Sequence, residues 1–276
     1  MEPTAEPATD PRVRAPPRRA VATPGAPAIR RLLWLASLVV LWELVSRFGP
    51  WHSWVFPGPI EVARSIHAIA VDGSLHRAVG TSMARLGIGY GISLAAGIPL
   101  GLLLGRNRWV EESVGTIVLG LQALPSICWL PVALLWFGLS EAAILFVVIA
   151  GSVLAIALAA EAGVRNLNPI WIRAGRTLGA KGLRLYTSVL FPASLPALVG
   201  GAKLGWTFAW RSLMAAELLY VSGGLGQLLE AGRQLNDVAR VFGVMVVIIA
   251  LGLSVEKLLF APLERHVRQR FGTDQA

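Results

Sequence analysis

At 276 residues, 55% of them hydrophobic and only 15% charged, with a mean hydropathy of +0.62, the chain carries too little charge to cover a soluble domain of its size and reads as a polytopic membrane protein. Its net charge of +9 sits in loops between apolar runs, where it sets topology; no nucleic-acid motif accompanies it, so nucleic acid is not an expected partner. The single cysteine, Cys128, excludes a disulfide within the chain and a CxxC metal site.

Residues 1–28 are rich in Pro, Ala and Arg without an apolar period, and are expected to form a disordered tail. A first span is expected at 32–49, directly after Arg30 and Arg31; Glu43 and the lack of a small-x-small site argue against a cleaved signal peptide. The stretch "PGPIEVARSIHAIAVDGSLHRAVGTS" is too polar to cross a bilayer, and its Ile60, Ala63, Ile66, Ala70 spacing predicts an amphipathic helix on the membrane surface. Five further spans follow at 86–105, 114–137, 142–160, 195–219 and 241–260, each near the roughly 20 residues a bilayer requires. In the second of the six, Gly97, Gly101 and Gly105 recur on one helix face and predict close approach of another helix. Pro125 and Pro131 predict a kink in the third.

Six spans put both termini on one side. Segments 106–112, 161–192 and 261–276 hold ten Lys/Arg, against four in 47–81, 138–141 and 221–239, so the first set and both termini are expected in the cytoplasm. Trp51 and Trp54 then fall at the outer interface and Trp34 and Trp109 at the inner one. The expected organisation is an all-α transmembrane domain over 29–265, with cytoplasmic tails at 1–28 and 266–276.

Between the fourth and fifth spans lies "NPIWIRAGRTLGAKGLRLYTSVLFPASLP", with Arg173, Arg176, Lys181 and Arg184. Asn168 suits an N-cap and Pro169 the first helical position. Gly179 can end the helix in the left-handed conformation, and a second helix is expected from about Ala180 towards Pro192. The first helix offers an apolar stripe of Ile170, Trp171, Ala174 and Leu178. Periodicity alone fits two settings, anionic lipid headgroups or the groove of a cytoplasmic protein.

The stretch "RAGRTLGAKGLRLYTSVLFPASLP" resembles the EAA loop of ABC importer permeases, which reads Glu-Ala-Ala, three residues, Gly, nine residues, Ile-x-Leu-Pro. Ala174, Gly179 and Pro192 match at the right spacing, and Val189 and Phe191 stand for Ile and Leu. Arg173 stands where the pattern has Glu, and Gly175 where it has the second Ala. "LQALPSICWLPVALLWFGLSEAAI", "GWTFAWRSLMAAELL" and "GGLGQLL" are similar to the nitrate/sulfonate/taurine branch, so that the likeness covers roughly 55–265. The resemblance implies that Trp171, Arg173, Ala174, Gly175, Arg176, Gly179 and Pro192 form the coupling segment that docks on an ATP-binding subunit. It also implies two copies of that subunit, a second copy of this chain, and an extracytoplasmic solute-binding protein delivering a small anion. The chain holds no G-x-x-x-x-G-K-[ST] phosphate loop, so ATP and Mg²⁺ are expected on the partner and no cofactor in this chain.

Arg211, in the middle of the fifth span, and Gln122 are the candidate translocation-path residues. Arg211 has a structural alternative, an ion pair with Glu43, Glu217 or Glu256; Glu217 and Glu230 are expected near the outer side. No catalytic or metal site is expected: His52, His67, His76 and His266 lie outside the spans, and neither HExxH nor GxSxG occurs. A self-sufficient secondary transporter or channel is the alternative reading, under which the basic segment would have no ATPase to bind.

Overall fold

The computed structural model describes residues 26–52, 54–218 and 223–271. The expected tail segments 1–25 and 272–276 lie outside the described residues. The chain divides into two compact units, Met1–Gly49 and Pro50–Ala276. In the first, α1 (Ala26–Phe48) is a single 23-residue helix that contains most of the first expected span.

The second unit is built from α2 (Pro59–Val71), α3 (Ser74–Leu104), α4 (Arg108–Gln122), α5 (Ser126–Phe137), α6 (Glu141–Arg165), α7 (Pro169–Thr177), α8 (Leu183–Leu218), α9 (Leu225–Gln234) and α10 (Val238–Phe271). No strand occurs among the described residues. Helices α3, α6, α8 and α10 are each long and apolar enough to cross a membrane, and the bent pair α4–α5 raises four spans to five if it counts as one. Helix α1, with Arg30, Arg31, Glu43 and Arg47 spread along it, is not among them.

Two expectations are corrected here. The third span is not one run over 114–137, because α4 and α5 meet at 96°. Pro125, at φ −55 and ψ 135, stands at the break: its ring removes a helical donor and forces the preceding residue out of the helical region. Pro131 causes no kink, since it falls in the first turn of the helical stretch Trp129–Phe137, where a missing N–H costs little. The helix expected from the Ile60, Ala63, Ile66, Ala70 spacing is present as α2. Helix α2 buries Val62 and Ile69 and sets Ile66 against Gly243 of α10, while Ile60 is left exposed. A Val62–Ile66–Ile69 stripe meets the chain's own helix. Helix α3 begins at Ser74, whose N–H donates to Asp72 Oδ1 at 2.8 Å. Hydrogen bonds from Ser74 hold the Asp72 carboxyl below its ordinary value.

Helix α6 packs along α3 on one side and α8 on the other. Both seams are lined with small residues. A Cβ on Gly101 would lie 2.1 Å from the Ala157 carbonyl oxygen and 2.5 Å from Ala160 Cβ, and on α8 one on Gly205 would lie 2.3 Å from Ile156 Cγ1. The Gly97–Gly101–Gly105 face therefore does what its spacing predicts and lets two backbones meet. Leu86, Ile144, Val147, Val148 and Leu213 fill one end of this three-helix core. Leu102, Val164, Leu185 and Leu190 fill the other, and α7 is seated there.

Candidate coupling surface and membrane-embedded polar sites

The segment after α6 folds as an elbow, for local reasons. Asn168 Oδ1 accepts from the Ile170 N–H at 3.0 Å and caps α7, with Pro169 in the first turn. The helix stops at Leu178 because Gly179 has φ +85. Around it the Ala180 N–H donates to the Gly175 carbonyl and the Gly179 N–H to the Arg176 carbonyl, both at 3.0 Å, which is the Schellman pattern of a glycine-terminated helix. The second helix starts at Leu183 rather than at Ala180, because Gly182 turns the chain a second time at a positive φ, +51 with ψ −134. Pro192 lies inside α8, just after a wide π turn over Tyr186–Leu190. Two residues on, the Ser194 hydroxyl donates back to Leu190 O at 2.7 Å.

Helix α7 has three faces. Gly175 and Ile172 turn inward; a Cβ on Gly175 would lie 2.7 Å from Val189 Cγ2. The glycine in place of the second alanine thus matches the β-branched Val189 packed against it. Ile170, Trp171 and Leu178, at 63%, 61% and 88% exposure, form an outward apolar face with Ala174. Arg173 and Arg176 project on the remaining side, also exposed. The structure thus gathers Trp171, Arg173, Ala174, Gly175, Arg176 and Gly179 on one elbow and leaves Pro192 on the helix that follows.

The two path candidates sit apart. Gln122, at the end of α4, lines a cavity of about 160 Å³ with Ser126, Trp129, Leu154 and Phe208. Arg211 lies three residues beyond Phe208, on an exposed face of α8 that includes Ala197, Gly200, Leu204 and Thr207. Among the described residues no hydrogen bond joins Gln122 to Arg211, and Arg211 has no ion pair. Two of the structural partners considered for it are engaged elsewhere. Glu256 pairs with Lys203 at 2.9 Å, and Glu217 pairs with Arg85 at 2.9 Å.

That last pair belongs to a buried network that reading the sequence did not find. Glu217 is fully buried at the end of α8. Ser82 Oγ lies 2.8 and 2.7 Å from its two carboxylate oxygens, and the Gly226 N–H donates to it at 3.0 Å. Arg85 turns its Nε and Nη2 to Glu141 at 2.6 and 2.5 Å. The Leu225 N–H donates to Ser82 Oγ at 2.8 Å, so the start of α9 is pinned to α3. A Cβ on Gly224 would lie 2.2 Å from Glu217 Oε1, which accounts for the glycine of "GGLG". The available signal was Arg85 itself, a charge one position before an apolar run, with Ser82 one turn away.

The family of the binding-protein-dependent transport system inner membrane component matches residues 97–270. The chain belongs to this family. A relative in Brucella melitensis, named as an ABC transporter permease, is 30% identical over 80% of this chain and 88% of its own length. The taurine transport system permease TauC of Escherichia coli is 27% identical over 85% of this chain and 89% of its own. The nitrate import permease NrtB of a Synechocystis strain is 22% identical over 84% and 86%. The resemblance to the nitrate/sulfonate/taurine branch of ABC permeases therefore holds. A solved structure of the MetNI methionine ABC transporter in an inward-facing conformation has the same fold, with a TM-score of 0.60 and 24% identity over 72% of this chain and 98% of the solved one. The matched region includes the elbow, Gln122 and Arg211; Arg85 precedes it. As an ABC permease, the chain is the membrane component of an import system whose ATP is spent by a separate subunit.

Proposed function

We propose that this chain is the six-span permease of an ATP-driven importer for a small anion such as an alkanesulfonate, taurine or nitrate. Two copies form the pore, because one chain supplies one elbow and two ATP-binding subunits need two. Both termini face the cytoplasm, an extracytoplasmic solute-binding protein delivers the substrate, and lipid covers the apolar outer surface. ATP and Mg²⁺ bind on the partner; this chain converts their consumption into movement.

The observation that carries the reading is the outward face of α7. Trp171, Ile170 and Leu178 are exposed at the end of a helix bundle, on a short helix held by its own N-cap and glycine stop. An apolar helix face presented this way suits a groove on another protein. When ATP draws two such grooves together, the elbows move with them. Each elbow is packed on the ends of α3, α6 and α8, so their displacement tilts the spans between inward-open and outward-open states. Arg211 is the path residue of this reading. A guanidinium on an uncovered face of a membrane helix is costly in lipid, and an anion crossing between two copies would give it a partner in transit.

The test is Trp171→Asp in proteoliposomes that hold the permease, its ATP-binding subunit and the solute-binding protein. A carboxylate forced into the apolar part of the groove that receives Trp171 costs several kcal/mol, so ATP hydrolysis stimulated by the binding protein should collapse while membrane insertion persists. Normal stimulation in the variant would mean that Trp171 only touches lipid, and would refute the coupling role.

A further inference from the structure

Two cations of the neighbouring helices are paired with acids. Arg108 pairs with Glu112, and Arg165 with Glu111 and Glu161. Arg173, Arg176, Lys181 and Arg184 are all exposed, and none of them is in an ion pair among the described residues. Four positive charges within twelve residues of one another therefore face outward with no acid beside them among the described residues.

Their direction narrows what they can meet. At about 100° per residue, the point on α7 opposite the inward pair Ile172 and Gly175 falls on the ridge of Ile170, Thr177 and Arg173. The inward pair rests where α3 and α6 end and α8 begins, against a cluster containing Leu102, Val164 and Leu185. The ridge bearing Arg173 consequently points off the end of the bundle, away from the flanks where lipid would lie. A soluble partner approaching along the bundle would meet this ridge. Arg173 stands at the position where the EAA pattern has a glutamate, so the charge at that exposed position is reversed.

We propose that the groove of the ATP-binding subunit that receives α7 is acidic, with a carboxylate opposite Arg173 and further carboxylates at the rim facing Arg176, Lys181 and Arg184. This rests on the docking role given above. It adds a rule of partner choice: an ATP-binding subunit whose groove carries a cation to meet a glutamate is repelled by Arg173, since like charges across an interface cost several kcal/mol. The elbow thus selects its own ATPase by charge as well as by shape.

The experiment uses the full permease co-expressed with its ATP-binding subunit, in two arms. In the first, R173K is made in a K181R background and the complex is treated with a water-soluble carbodiimide. A carboxylate within reach is activated as its O-acylisourea; the Lys amine at position 173 attacks, an amide forms and the urea leaves. The expected product is a permease–ATPase conjugate whose linked peptides contain position 173 and an Asp or Glu of the ATPase. In the second, Arg173→Glu should lower co-purification of the ATPase by roughly tenfold or more, while Arg173→Lys retains it. An intact complex with no conjugate from position 173, together with normal co-purification of Arg173→Glu, would overturn the acidic groove and leave the docking role standing. The same overturning follows if Arg173→Glu leaves the ATPase bound and instead lowers the phosphatidylglycerol, relative to phosphatidylcholine, that the purified permease retains. Failure of the unaltered permease to co-purify with the ATPase would overturn the docking role, and the acidic groove with it.

Discussion

Replacing Arg85 by methionine keeps much of its length and removes its charge, leaving Glu217 buried without a counterion. Glu217 is fully buried, and what remains to it is the Ser82 hydroxyl and the Gly226 N–H. Removing one partner of a buried ion pair typically costs ~3–5 kcal/mol. The two surviving hydrogen bonds place this case near the lower end, about 3 kcal/mol, or roughly two orders of magnitude in the folded population. The other carboxylate on Arg85 gives a contrast within the same network. The Glu141 side chain is 59% exposed, so solvent screens it, and Glu141→Gln should cost less than about 1 kcal/mol. Melting in detergent, followed by size-exclusion loss or tryptophan fluorescence, should therefore rank Arg85→Met well below Glu141→Gln. The double variant Arg85→Met/Glu217→Gln removes both charges and should recover most of the loss. If Arg85→Met melts like the unaltered protein, or the double variant is no better than the single, the buried network is not an ion pair holding α3, α8 and α9 together.

Three further outcomes are expected. Gly179→Val should abolish co-purification of the ATP-binding subunit while leaving membrane insertion intact; a Cβ there has open space around it, so the penalty comes from φ +85 alone, about 1–2 kcal/mol for an ordinary side chain and more for a β-branched one, and Gly179→Ala should be milder in the same pull-down. Gly101→Ala should lower the melting temperature through a single methyl, because its Cβ would lie 2.1 Å from a backbone oxygen of α6 that cannot rotate away, an overpacking that costs about 1–3 kcal/mol. Arg211→Gln should reduce uptake yet preserve melting and ATPase association, because no ion pair is lost with it among the described residues; a fall in stability comparable to that of Arg85→Met would assign Arg211 a structural role instead.

What the sequence revealed, and what it hid, follows from how local each signal is. The elbow was legible because its determinants are neighbours in the chain: Asn168 and Pro169 start α7, and Gly179 stops it. The glycine seam was legible because four-residue spacing is a property of one helix, whichever partner it meets. Segmentation by apolar runs failed where charge enters a helix. It began the second span at 86 and so missed Ser82 and Arg85, although α3 starts at Ser74. It also passed over Lys203, whose charge is averaged away by its apolar neighbours and is matched by Glu256 on α10. Glu217 was placed at the outer end of its span, but its burial depends on Arg85, 132 positions away, which no local pattern reports. The 96° bend at Pro125 was expected only as a kink, since a proline announces a break but not its angle. The elbow's second glycine turn, Gly182 at φ +51, moved the start of α8 for the same reason: sequence gives the permission to turn, and packing decides whether it is used.

The measurement closest to the central claim is transport by the reconstituted system. The permease is placed in proteoliposomes with and without its ATP-binding subunit, and uptake of a small anion is followed with ATP and the solute-binding protein supplied. The account predicts a stable complex of the two membrane-associated subunits, hydrolysis stimulated by the binding protein, and uptake that requires both. Uptake of the same anion by the permease alone, driven by an ion gradient with no ATP-binding subunit present, would contradict it.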